Sequence, residues 1–199
     1  MTTVNRRDAL KKLAVGGAAV VGAPFWVEAL TAAAEQHAAH YQAARAAASP
    51  WTPNVLSPAQ NETVIALSEL IIPQTDTAGA TKAGVNQFID AVLAEAEPAD
   101  REKFLTGLAW LDARSQRDAG TPFVKSTPEQ QTVLLTALST NRAPAAEDQP
   151  GTDFFTAIKS LTVTGYYTSE VGMKEEMGDD GNLFFLEFKG CTHPEHLKG

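Results

Sequence analysis

"SPAQNETVIALSELIIP" occupies Ser57–Pro73, and its first four residues already specify where a helix begins. Ser57 is an N-cap side chain, Pro58 suits the first helical position, and Gln60 completes a capping box. Val64, Leu67 and Ile71 then recur at helical spacing on one face. Pro73 ends the run, because proline lacks the N–H that the next turn would need.

Working outward, the same vocabulary repeats toward the C-terminus. "QTDTAGATKAG" (74–84) reads as a Thr/Gly loop. "VNQFIDAVLAEA" (85–96) places Val85, Phe88, Ile89 and Val92 on one helical face. Pro98 opens a third helix with Phe104, Leu105, Leu108 and Leu111 inward, and "DAGTPF" (118–123) breaks it. "TPEQQTVLLTAL" (127–138) reuses the capping device, with Thr127 as cap, Pro128 leading and Gln130 closing the box. After a loop at 141–151, "TDFFTAIKSLTVTGYY" (152–167) gives a fifth helix carrying Phe154, Ile158 and Leu161 on one face.

From Thr168 onward no helical stripe is legible. "LFFLEF" (183–188) is a short apolar run that either pairs as a strand or lies across a surface, and "KGCTHPEHLKG" (189–199) has no periodicity. The expected fold is all-α: a small helical domain of about five helices with an extended C-terminal arm from about residue 168.

Toward the N-terminus, "NRRDALKK" (5–12) precedes a glycine-dotted apolar stretch from Leu13 to Leu30. Arg6 and Arg7 in that setting read as a twin-arginine export signal, a route taken by folded cargo. Thr31–Ala34 supplies small residues of the kind found at a cleavage site. The other reading is an amphipathic or buried N-terminal helix. Three segments follow from the export reading: a signal segment at 1–34, a helical spacer and linker at 35–56, and the domain with its arm at 57–199. Export places the protein in the periplasm, with membrane association only through a complex or an uncleaved leader.

The chain has 199 residues, 44% hydrophobic and 20% charged, enough for one domain with a real core. The formal charge of −8 is uneven: residues 1–48 carry a net of about +2, and the remainder about −10. An acidic body without a basic stripe argues against nucleic acid as a partner. The single cysteine, Cys191, excludes an internal disulfide and any cysteine-built iron or zinc site. Neither C-x-x-C-H, G-x-G-x-x-G nor G-x-x-x-x-G-K occurs, so no haem, dinucleotide or phosphate-loop motif is present.

Several clusters invite chemistry. Cys191, His193 and His196 are metal-ligand types, but Pro194 divides them and no fourth ligand is apparent. His37 and His40 share a helix face and read as solvated. Ser169 lies beside Glu170 in "GYYTSEVG" (165–172), yet a serine nucleophile needs a histidine base nearby, and this stretch reads better as a helix end. Asp76 and Asp90, and Glu175, Glu176, Asp179 and Asp180, lack calcium-loop spacing; the second group reads as a solvated acidic turn. Tyr166 and Tyr167 suit a buried hydroxyl or a partner contact. The apolar arm, with Phe184 and Phe185, either packs back on its own helices or meets a partner.

Residues 56–191 resemble the gluconate 2-dehydrogenase subunit 3 family through the blocks "IIPQTDTAGA", "GV..FID" and "LT..GYYTSE.G" and a late "KGC". The resemblance implies a non-catalytic small subunit of an FAD-dependent sugar or polyol dehydrogenase. The flavin is then expected in a large catalytic partner, a cytochrome c subunit commonly takes the electrons, and this chain holds no cofactor or metal. On that reading Tyr166, Tyr167, Phe184 and Phe185 are interface anchors. Cys191, an odd cysteine in an exported chain, is either a free thiol or an intersubunit bridge. Two alternatives are a stand-alone periplasmic binding protein and a metal-assisted enzyme.

Overall fold

The computed structural model describes residues 24–45, 51–140 and 144–178. Every regular element among them is helical. In chain order they are α1 (Phe25–Arg45), α2 (Pro58–Ile71), a one-turn α3 (Ala80–Ala83), α4 (Val85–Glu95) and α5 (Pro98–Ala119). A 3-10 turn (Phe123–Lys125), α6 (Pro128–Thr140), α7 (Gln149–Tyr167) and a π-helical turn (Gly172–Glu176) complete the order. The all-α expectation therefore holds, and the five helices read from the sequence are α2, α4, α5, α6 and α7.

The helix starts lie where the caps put them. The Ser57 N–H donates to Gln60 Oε1 at 2.8 Å, and the Gln60 N–H donates to Ser57 Oγ at 3.3 Å. Thr127 and Gln130 repeat the exchange at 3.0 and 3.3 Å. Each box satisfies backbone donors that a helix start otherwise leaves to water, contributing about 1 kcal/mol. Helix α7 begins at Gln149, three residues earlier than its apolar stripe implied, because Pro150 falls in the first turn, where proline is tolerated.

Helix α7 is the hub, packed by α1, α2, α4, α5 and α6. Its buried residues are Gly151, Phe154, Ala157, Ile158, Leu161, Thr162, Gly165 and Tyr166, which recur at three- and four-residue spacings on one face. Phe154 meets Phe104 of α5 edge to face, with centroids 5.0 Å apart. Thr162 donates to Ser68 of α2 at 3.3 Å, which satisfies two hydroxyls inside the core.

Three elements depart from the sequence reading. First, α1 starts at Phe25 and runs through Thr31–Ala34, across the segment boundary expected at residue 34. Trp26, Val27, Leu30 and Ala34 are in the core, so the buried-helix reading applies to this part of the N-terminal segment. Pro24 precedes the helix and its carbonyl accepts from the Val27 N–H at 2.8 Å, so it stands at the start of α1. Burying side chains such as Val27 and Leu30 contributes roughly 1.5–3 kcal/mol each. Second, the Thr/Gly loop contains α3, whose four residues are too few to show a period. Third, the chain turns helically again after Thr168, through Gly172–Glu176, so the extended arm does not begin at 168. Residues 179–199 lie outside the described residues.

Candidate partner-facing region

The three blocks singled out in the sequence meet at one end of the bundle. The loop after α2, the start of α4 and the C-terminal end of α7 are brought together there by side chains that satisfy loop backbone. The Tyr166 hydroxyl donates to the Ala78 carbonyl oxygen at 2.7 Å, in a fully buried contact. Glu69, near the end of α2, accepts from the Gln74 N–H at 2.8 Å and from the Thr81 N–H at 2.9 Å, bracketing the loop. Glu176 accepts from Thr77 Oγ1 at 2.7 Å, and Glu175 accepts from the Ala78 N–H at 3.2 Å. Lys82 Nζ stands 3.8 Å from Glu175. Ala78 is buried, so its backbone groups need such partners, because an unpaired buried N–H costs as much as a lost hydrogen bond.

The turn that follows α7 is built around Ser169. Its hydroxyl donates to the Tyr166 carbonyl at 2.6 Å and accepts from the Gly172 N–H at 3.0 Å. Both functions of that hydroxyl are committed to backbone, which leaves it a structural group. Gly172 has no alternative here, since a Cβ would collide with the Tyr166 carbonyl. Gly165 likewise admits the Phe88 ring of α4, which a Cβ would approach to 2.6 Å.

Asp90, the last residue of "GVNQFID", is fully buried and engages a different segment. Its carboxylate accepts from the N–H groups of Asn54, Val55 and Leu56 at 2.7, 3.0 and 2.9 Å. It thereby fixes the strap leading into the Ser57 cap. Asp76 instead accepts from Thr75 Oγ1 at 2.7 Å on the surface. Among the described residues no group of three or more His, Cys, Asp or Glu side chains is placed to hold a metal ion. His37 pairs with Glu95 at 2.6 Å, tying α1 to the end of α4, so it is not merely solvated.

The expected anchors divide. Tyr166 is completely buried within the chain and its hydroxyl is engaged inward, so its assignment as a partner anchor is corrected: the ring is a core residue. Tyr167 is partly buried and stacks edge to face on Tyr166, with centroids 5.2 Å apart. Phe184, Phe185, Cys191, His193, His196, Asp179, Asp180, Arg6 and Arg7 lie outside the described residues, as does the side chain of His40. Glu175 and Glu176 correct another reading. They do more than solvate a turn: they hold the loop, across 97 and 99 positions of chain, although Glu175 stays exposed. Nothing local marks such contacts, because each glutamate alone is an ordinary helix-surface residue.

The family model for gluconate 2-dehydrogenase subunit 3 matches residues 58–181, more than half of the chain. The chain belongs to the gluconate 2-dehydrogenase subunit 3 family. The matched range begins at the first residue of α2 and takes in the loop, the α7 end and the π-helical turn just described. Membership makes the chain an accessory subunit of a dehydrogenase complex. Comparison with curated proteins and with solved structures finds no match.

Proposed function

We propose that this chain is the non-catalytic small subunit of a periplasmic FAD-dependent sugar or polyol dehydrogenase. It docks on the large flavin-bearing subunit, stabilises it and carries it through twin-arginine export. The observation that carries the reading is the family match together with the paired Arg6-Arg7 ahead of an apolar stretch. What supports leaving the flavin to a partner is the sequence, which has no glycine-rich dinucleotide turn and no haem attachment motif. The redox chemistry then belongs to the partner's cofactor, and a cytochrome c subunit receives the electrons.

The docking face lies at the end of α7. Tyr167 presents the outer ring of the tyrosine pair, and the C-terminal segment continues beyond it with Phe184 and Phe185. Buried aromatics dominate interface energetics, roughly 2 kcal/mol or more for an anchor. Cys191 bridges to the partner in the oxidising periplasm. Because docking precedes export on this reading, the interface must hold before any such bridge forms.

Co-expression of both subunits tests this reading. With Arg6→Lys and Arg7→Lys, sugar oxidation is expected in the lysate and absent from the periplasm. A catalytic subunit that still reaches the periplasm overturns the carrier role. Sugar-dependent dye reduction by this chain alone overturns the non-catalytic assignment. On a non-reducing gel, a band of summed mass that collapses with reductant is expected.

A further inference from the structure

We infer that export processing spares α1, so that the mature subunit keeps Phe25–Ala34 and the small-residue run Thr31–Ala34 is not a cleavage site. The inference rests on the proposed twin-arginine export, in which cargo is folded before it meets the signal peptidase.

Three observations carry it. Thr31–Ala34 lies well inside a continuous helix that runs from Phe25 to Arg45. A signal peptidase reads an extended segment with small residues spaced by one, as in A-x-A. Backbone held in i to i−4 hydrogen bonds does not present that shape. Thr31 adds a side-chain bond of its own, from Oγ1 to the Val27 carbonyl at 2.9 Å.

The flanking residues are also committed to the core. Trp26, Leu30 and Ala34 follow one another at four-residue steps on a single face, with Val27 beside them. Their exposures are 7%, 1% and 0% for the first three and 1% for Val27. That face packs on the central α7 and on α4 and α5. Further along, His37 closes on Glu95 of α4 at 2.6 Å. A cut after Ala34 would strip the helix of its largest apolar contacts and leave the facing side chains of three helices in water. By contrast, Phe25 is 82% exposed and Glu28 is exposed, so the outer face of α1 contributes little.

Two measurements on the full chain decide the matter. Intact mass and N-terminal sequencing of protein recovered from the periplasm should place the N-terminus at or before Phe25. An N-terminus between residues 26 and 36 overturns the inference. Thermal unfolding then compares Leu30→Ala with Phe25→Ala. Leu30→Ala should lower Tm by roughly 10 °C, and Phe25→Ala by no more than about 2 °C. Leu30→Ala failing to fold while Phe25→Ala folds also supports the inference. Equal Tm values for both variants and the parent overturn it. If no protein reaches the periplasm, the export reading fails, and the unfolding comparison on cytoplasmic protein still decides whether α1 belongs to the core.

Discussion

The hydroxyl of Tyr166 donates to the carbonyl oxygen of Ala78 at 2.7 Å, joining the end of α7 to a loop 88 residues earlier in the chain. The bond is buried, and the ring around it is fully enclosed. Tyr166→Phe keeps the packing and removes this donor from a buried carbonyl. The expected cost is about 1–3 kcal/mol, a fall in Tm of several degrees. A Tm within about 1 °C of the parent would show that the contact does not hold the loop.

Asp90 gives a sharper case, since one buried carboxylate serves three successive N–H groups, those of Asn54, Val55 and Leu56. Asp90→Ala leaves three backbone donors without this acceptor. The expected loss is on the order of 3 kcal/mol or more, with faster hydrogen exchange confined first to residues 54–56. Asp90→Asn should fall between, because an amide oxygen still accepts but without charge assistance. Unchanged exchange at 54–56 in the alanine variant would contradict the assignment.

Gly165 allows α4 and α7 to approach closely, with the Phe88 ring against its Cα. Gly165→Ala improves intrinsic helix propensity by roughly 1 kcal/mol, yet adds a Cβ where the Phe88 ring already stands. Overpacking of this kind costs about 1–3 kcal/mol, so net destabilisation is expected. The double change with Phe88→Leu should recover part of the loss. Stabilisation by Gly165→Ala alone would mean that α4 and α7 are not packed this tightly.

Lys159 sits partly buried on the central helix, and burial lowers its ammonium pKa below the ordinary lysine value. The folded state therefore disfavours the charged form. That penalty is fully present at pH below the folded pKa and vanishes above the unfolded one, so stability contributed by this group rises with pH. Lys159→Met should raise Tm by a few degrees at about pH 7, and the advantage should shrink as the measurement moves above about pH 10. A constant advantage across that range would point to packing rather than charge.

The helix boundaries were legible because caps and apolar stripes act within three or four residues. Ser57 and Gln60, and Thr127 and Gln130, settle their own geometry from local hydrogen bonds. The three blocks at 71–80, 84–90 and 161–172 were likewise enough to point to the family. Tertiary packing alone decided what those blocks do with one another. Tyr166 and Tyr167 are adjacent and chemically identical, yet one is sealed in the core and the other is only partly covered, because α7 turns one of them toward the loop. Nothing local marks the role of Asp90 until the strap at 54–56 is laid across it, and Glu175 and Glu176 read as solvated until the loop lies within reach. Trp26, Val27 and Leu30 fit the sequence pattern of a leader, although a core helix also needs such an apolar run. Only the face offered by α4, α5 and α7 makes burial of these side chains worth more than their exposure.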